Sequence, residues 1–492
     1  MKAKPNLLFI LSDSHRFDTM SAYGNHSIRV PNLNRLAEGS AVFQRAYCSV
    51  PVCKPARSSL LTGMYPQNSR VLSNRQNLSE SVPTLVDHVH DPDYRNGYIG
   101  LWSVSGEIKP RPGFDRWVST IDGYSEVDGG NHVVQWSNYS RFLLDNGFEP
   151  DDTKKDQPKF SKMFCKQVPE AYSKPAYLAS EATRFIEQNK DRSFILFVSF
   201  KEPHPPYFSS FDDMYDPAEV ELPPTFNTEL GEDTPLKCRL NRLYYQKGTP
   251  TSGEPLEDEA AWRRMIARYW GQISLVDKYT GNVLKCLEDN GLDRDTIVVY
   301  TSDHGEVLGD FRMLGKCMMP ESAVRVPLLI RIPGTTDDQV MIEPPVGTID
   351  LTPTLLDALG HGKGHLVPEG LDGKSLYPTI CGKRTLDNNN VFIQWNGSVA
   401  EQGFFPAQRN EQSKQEIDRV HGADVRTVVT ADGWKLSLST AGEHELYHLR
   451  IDPWETKNLY FTAGHDRMIQ NLTKRITQWQ QATGDHVSQT WP

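Results

Sequence analysis

The stretch Asn6-Leu7-Leu8-Phe9-Ile10-Leu11-Ser12-Asp13-Ser14 runs apolar through its middle and stops abruptly on polar residues. Three later segments repeat that design. Tyr98–Trp102 ends in Ser103, Phe194–Phe200 ends in Lys201-Glu202-Pro203-His204, and Ile297–Tyr300 ends in Thr301-Ser302-Asp303-His304-Gly305. A short, unbroken apolar run suits a strand covered on both faces, which is the usual state of a strand in a parallel sheet. The pattern therefore predicts an α/β fold with helices on both faces of a parallel sheet. In such sheets ligands bind beyond the carboxyl ends of the strands. Four such ends carrying Asp, His, Ser and Lys form a candidate site.

Helical periodicity lies between these runs. Trp262, Ile266, Tyr269, Ile273, Val276, Thr280, Val283 and Leu287 recur in steps of four and three, and Asn290-Gly291 closes the stripe. Residues 205–260 are rich in proline, acid and tyrosine and read as a long surface excursion near the site. Beyond a polar stretch at 380–425, Arg426–Leu438 alternates as a strand, Glu445–Leu449 forms another, and Arg467–Trp479 is helical. We place a catalytic α/β domain at 1–375 and a smaller α+β domain at 376–492.

The 492 residues are 38% hydrophobic and 24% charged, enough to bury a sizeable core. The net charge of −10 argues against a nucleic-acid binder. No run approaches the roughly 18 apolar residues of a membrane span. Leu7–Leu11 is too short for a signal peptide, so the expected location is the cytoplasm. The seven cysteines are widely spaced with no C-x-x-C pair, against both a cysteine zinc site and a disulfide framework. At least one must stay unpaired within the chain.

The segment Cys53-Lys54-Pro55-Ala56-Arg57-Ser58-Ser59-Leu60-Leu61-Thr62-Gly63 carries the chemistry. Pro55 suits a first helical turn and Gly63 a helix end. Cys53 then stands at a helix N-terminus beside Arg57, an electropositive spot suited to a thiolate or an anionic substrate. Cys-x-Pro-x-Arg followed by Leu-Leu-Thr-Gly closely resembles the signature of the sulfatase family, in the alkaline phosphatase superfamily. Other pieces follow in the family's order: Pro5–Asp13, Val30–Ala37, Pro203–Pro206, Thr301–Gly305, Gly315-Lys316, Arg325–Leu328, Asp350–Leu355, Gly370–Leu376, and Glu445–Leu449 with Asp452–Glu455 and Asn458-Leu459.

The resemblance implies a large mixed, mostly parallel sheet sandwiched by helices. It implies that a separate formylglycine-generating enzyme oxidises Cys53, whose hydrated aldehyde attacks a sulfate ester through a sulfated enzyme intermediate and releases alcohol and inorganic sulfate. Cys48 has Val50 where the motif needs proline. A divalent cation, Ca²⁺ first, with Mg²⁺, Mn²⁺ or Zn²⁺ as alternatives, is implied at Asp13, Ser14, Cys53, Asp303 and His304, with Ser14 standing where relatives carry Asp. Arg57 and Lys316 resemble the cations that hold the nucleophile and the sulfate, Asn74 a substrate-side asparagine, and His204 the residue that assists the leaving oxygen.

One departure is marked. Gly100-Leu101-Trp102-Ser103 replaces the Gly-Lys-Trp-His of many sulfatases, and Ser103 resembles the hydroxyl found there in phosphonate and phosphodiester monoester hydrolases. The readings are a sulfatase acting on a sulfated sugar or small alcohol, a phosphonate or phosphodiester hydrolase with the same nucleophile, and an inactive sulfated-glycan binder. The alcohol half is expected to be set by loops 105–170, 205–260 and 385–425. A saccharide or small-molecule sulfate ester is the expected partner, with an oligomer open.

Overall fold

The structure, a computed structural model, describes residues 4–127, 131–152, 158–246, 255–364, 366–397 and 413–487. Its centre is a sheet of eight strands: β1 (Asn6–Ser12), β2 (Ala41–Phe43), β3 (Tyr94–Gly100), β4 (Arg116–Ser119), β5 (Ser193–Ser199), β6 (Thr296–Ser302), β7 (Leu328–Arg331) and β8 (Val340–Ile342). Their spatial order is β8-β2-β7-β6-β1-β5-β3-β4. The five strands from β6 to β4 run parallel, and β7 is antiparallel to both its neighbours. The sheet is therefore mixed and mostly parallel.

The unbroken apolar runs work as predicted, because both faces are covered. In β1, Leu8 and Ile10 point to one hydrophobic core and Leu7, Phe9 and Leu11 to the other. The neighbouring strands divide in the same way: Leu196 and Val198 from Ile195 and Phe197, Val298 and Tyr300 from Ile297 and Val299. The first core is closed by α1 (Pro31–Glu38), α3 (Lys174–Gln188) and α4 (Glu259–Asp289), the second by α2 (Cys53–Thr62) and α5 (Leu351–Leu359). The predicted stripe of α4 is buried along its length, and Asn290 and left-handed Gly291 (φ 66°) end it.

Two expectations need correcting. Residues 205–260 are more than a surface excursion: Tyr207, Phe208, Tyr215 and Phe226 are buried, and Leu236–Gln246 is helical. These aromatics lack periodicity because they pack as single residues along α4, as Tyr215 does on Trp270 and Phe226 on Trp262. The run Arg426–Leu438 is two strands, not one. A turn at Asp432-Gly433 (φ 100° at Gly433) separates them.

That hairpin belongs to a separate antiparallel sheet, β9 (Asn390–Trp395), β10 (Val425–Thr430), β11 (Trp434–Ser439) and β12 (Glu445–His448). One face is covered by α6 (Asp466–Thr483) through Leu472 and Ile476. The other meets Tyr47, Cys48, Val50 and Val52, the lead-in to Cys53. A buried ammonium fixes this junction, with Lys435 Nζ 3.0 Å from Glu321 Oε1 and 2.7 Å from Glu455 Oε1. No disulfide joins any of the seven cysteines. Among the described residues no helix is long and apolar enough to cross a membrane.

Candidate active site

β1 and β6 lie side by side with Ser12 opposite Ser302, so the residues just past their ends, Asp13 and Asp303, become neighbours. The helix that starts at Cys53 points its first turn at the same place. The ligand atoms of Asp13, Cys53, Asp303 and His304 all lie within 4.8 Å of one another. Cys53 Sγ is 3.3 Å from His304 Nε2 and 3.9 Å from Asp13 Oδ1. The Gly305 carbonyl lies 2.9 Å from His304 Nδ1. A carbonyl can only accept, so Nδ1 carries the proton and the Nε2 lone pair faces the cluster, the tautomer a metal ligand requires. Two carboxylates and a correctly oriented imidazole fit a hard divalent cation.

Arg57 is fully buried behind the carboxylates. Nε donates to Asp303 Oδ2 at 2.7 Å and Nη2 to Asp13 Oδ2 at 3.1 Å. Nη1 donates to the Leu101 carbonyl at 2.7 Å and to Ser199 Oγ at 2.9 Å. Its guanidinium thus braces the ligands and the ends of β3 and β5, rather than facing the space in front of Cys53. The expected electropositive spot is offset by the same carboxylates. Burial first, and then Asp13, push the Cys53 thiol up, against Lys316 and Arg57.

Ser14 adopts a left-handed backbone (φ 65°). Its hydroxyl donates to Asp13 Oδ1 at 3.0 Å and accepts from Lys316 Nζ at 3.0 Å. It links the cation to the carboxylate instead of standing as a free ligand. Lys316 Nζ is also 3.7 Å from Asp13 Oδ1. Burial opposes its charge, but Cys53 and Asp13 outweigh burial and leave Lys316 raised. Asp13 is the mirror case: burial pushes it up, while His204, Lys316 and Arg57 hold it well below the carboxylate range.

His204 is placed on the Lys316 side, with Nδ1 2.8 Å from the Pro205 carbonyl. Burial, followed by Lys316, drives the imidazole well below its usual range. Asn74 accepts from the Lys54 backbone N–H at 3.0 Å, so it fastens the first turn of α2 from a distant loop. Ser103 follows β3 in a left-handed conformation (φ 60°). Leu101 is buried, and its carbonyl, not its side chain, serves the site through Arg57.

Two contributors, Glu107 and Glu306, escaped the sequence, and a third, Lys201, reads only as a strand-end residue. Glu107 accepts from the backbone N–H groups of Trp102 and Ser103 at 3.1 and 2.6 Å, holding the Leu101–Ser103 turn. Glu306 accepts from the Gly315 N–H and so fixes the approach of Lys316. Only its position directly after Asp303-His304-Gly305 hinted at this. Lys201 lies beyond the end of β5, where burial and then Lys174 pull its ammonium down to about 8. It was visible as a strand-end residue but had no motif to mark it. Parts of the three expected specificity loops, 128–130, 153–157, 247–254 and 398–412, lie outside the described residues.

Known proteins resemble this chain along most of its length. A multifunctional alkaline phosphatase superfamily protein of Trinickia caryophylli is 25% identical over 98% of this chain and 96% of its own. A choline-sulfatase of Rhizobium meliloti is 26% identical over 93% of this chain and 82% of its own. The solved phosphonate monoester hydrolase of Silicibacter pomeroyi shares the fold, with a TM-score of 0.77 at 23% identity, covering 98% of this chain and 96% of that one. The Sulfatase family model matches residues 5–361. With that match across most of its length, the chain belongs to the sulfatase family of sulfuric ester hydrolases.

Proposed function

We propose that the protein hydrolyses the sulfate ester of a saccharide or small alcohol to the alcohol and inorganic sulfate, with Cys53, matured to formylglycine by a separate enzyme, as nucleophile. The observation that carries this reading is the convergence of Asp13, Cys53, Asp303 and His304 within 4.8 Å at two adjacent strand ends and one helix start. Those four residues would hold a divalent cation, Ca²⁺ in the first place, which when bound neutralises the ester's charge and acidifies the nucleophile. The hydrated aldehyde of formylglycine supplies a hydroxyl nucleophile at the Cys53 position.

The chain's other residues follow from their placement. Arg57 binds both carboxylates from behind and keeps them aimed. Lys316, tied to Ser14 and Asp13, presents a fixed ammonium to the ester's oxygens. His204 stands where the leaving oxygen departs. An anionic ester bound beside it opposes the effect of burial and Lys316 and favours the imidazolium that can give up a proton. Ser103 supplies a neutral hydroxyl and Asn74 holds the nucleophile helix.

A second reading has its own observation. Leu101 buries an aliphatic side chain where many relatives carry lysine, which favours a singly charged anion such as a phosphonate monoester or phosphodiester. Matured protein assayed on 4-nitrophenyl sulfate and on the corresponding phenylphosphonate separates the two: the faster ester names the activity. Cys53→Ala and Asp303→Asn should each lower turnover by about 10³-fold or more with an unchanged circular dichroism spectrum. Turnover like that of the wild type in either variant would remove the assignment.

A further inference from the structure

A chamber of about 520 Å³ opens beside His204, on the side where the leaving alcohol must go. Its walls include Phe160, Phe164 and Phe208, and its polar groups are unevenly charged. Besides Lys159, three lysines line it: Lys201 and Lys174, half-buried, and Lys162 at the exposed rim. Among the described residues none of the three ammonium groups has a hydrogen bond or ion pair, and Lys174 rests only against the Tyr139 ring. By contrast Lys159, also on the wall, is paired with Asp152 at 3.4 Å. Of the chamber's acids, Asp122 is spent on the Ser137 N–H. Glu202 has a buried Oε2 with no hydrogen-bond partner.

Lysine ammonium groups gathered in one half-enclosed space repel one another and lose hydration. Burial and the neighbouring Lys174 and Lys162 indeed oppose the charge on Lys201, which Glu202 and Asp13 only partly restore. A bound anion would reverse that cost. The orphaned Glu202 oxygen is an acceptor for a hydroxyl, and the phenylalanine rings offer a flat apolar wall. Resting on the sulfatase reading above, we propose that this chamber is a second anion subsite: the alcohol half of the substrate is an acidic saccharide whose additional carboxylate or sulfate is held by Lys201, with Lys174 and Lys162 beside it. An uncharged or cationic alcohol would leave the three lysines with only the partial compensation of Glu202 and Asp13.

The test measures binding and turnover separately. Calorimetry on the Cys53→Ala protein uses glucose 6-sulfate, a glucose disulfate and a sulfated glucuronic acid as probes. The doubly charged probes should bind about tenfold more tightly than the singly charged one. Whichever of the two gains more identifies sulfate or carboxylate as the second anion. Lys201→Gln should reduce that preference to about threefold or less, and Lys201→Arg should restore most of it. In matured protein the loss should fall on KM rather than kcat. Lys174→Gln, expected to lose part of the preference, gives the answer if Lys201→Gln does not fold. Equal binding of singly and doubly charged probes, or equal losses for both in Lys201→Gln, would overturn the subsite. Cleavage of 4-nitrophenyl sulfate without any charge preference would sink the subsite and leave the sulfatase reading standing. A charge preference without cleavage of any sulfate ester would do the reverse.

Discussion

Asp13 and Asp303 stand side by side in the interior, where two like charges repel unless a cation shares them. Arg57 shares them from behind at 3.1 and 2.7 Å, leaving their other oxygens toward Cys53 and His304. On the proposed reading the metal and the ester lie on that front side, and Lys316 is the cation that faces the substrate. The same reading gives His204 the leaving-group side. Proton donation counts most when the leaving alkoxide is a poor one. His204→Ala should therefore slow an alkyl sulfate by about 10²-fold or more while slowing 4-nitrophenyl sulfate far less. The measurement is kcat across a series of leaving-group pKa values, and an equal loss along the whole series would show that His204 does not assist departure.

The elements matter through where they end. β3 stops at Gly100, whose φ is 124° and where an added Cβ would meet the Ser199 carbonyl oxygen at 2.0 Å. That close approach lets Leu101 N–H bond to Ser199 O at 2.9 Å and turns the Leu101 carbonyl toward Arg57. Gly100→Ala should cost more than about 3 kcal/mol or prevent folding, since strain and a backbone collision add. Gly63→Ala, at the end of α2, meets only side chains at 3.3–3.4 Å and should cost about 1–2 kcal/mol. Urea unfolding of both variants checks the order, which would be reversed if the β3 end were plastic. On the other face, Asp277 of α4 accepts from the Leu33 N–H at 2.7 Å and the Asn32 N–H at 3.3 Å, capping α1 from outside. Burial raises its carboxyl to about 6 despite these bonds. The folded state then binds more protons than the unfolded one between about pH 4 and 6, so this contribution is fully present below pH 4 and is lost as pH rises through 6. Asp277→Asn should flatten the stability curve across that window; an unchanged slope would contradict the assignment.

At the scale of the whole molecule, the C-terminal sheet is part of the site's support. It covers the segment that leads into Cys53, and Lys435 is its buried anchor. Lys435→Met would leave Glu321 and Glu455 facing each other without their cation, and Glu455, held near 7 by burial first, would be driven further up. The expected cost is about 3–5 kcal/mol in denaturant unfolding. A loss below about 1 kcal/mol would mean that the junction is held by apolar packing alone. Much of this architecture was legible in advance because parallel strands covered on both faces must be apolar throughout, as β1, β5 and β6 are. The nucleophile helix and its glycine stop were legible for the same local reasons. What was hidden depends on distance. The type of Arg57 does not say that it faces the backs of the carboxylates. Glu107 finds its work in a turn that only the end of β3 creates, and the lysines of the chamber beside His204 are brought together from segments that share no motif. The hairpin within Arg426–Leu438 was missed although Asp432-Gly433 is itself a turn signal, because the alternation continues on both sides of it.

The central claim is that Cys53 works as formylglycine, and the mass of the protein tests it most directly. After production with a formylglycine-generating enzyme, the peptide carrying Cys53 should be lighter by about 18 Da than the same peptide unmodified, and 4-nitrophenyl sulfate turnover should rise in proportion to the converted fraction. An unconverted Cys53 under those conditions, or turnover that does not follow conversion, would contradict the account.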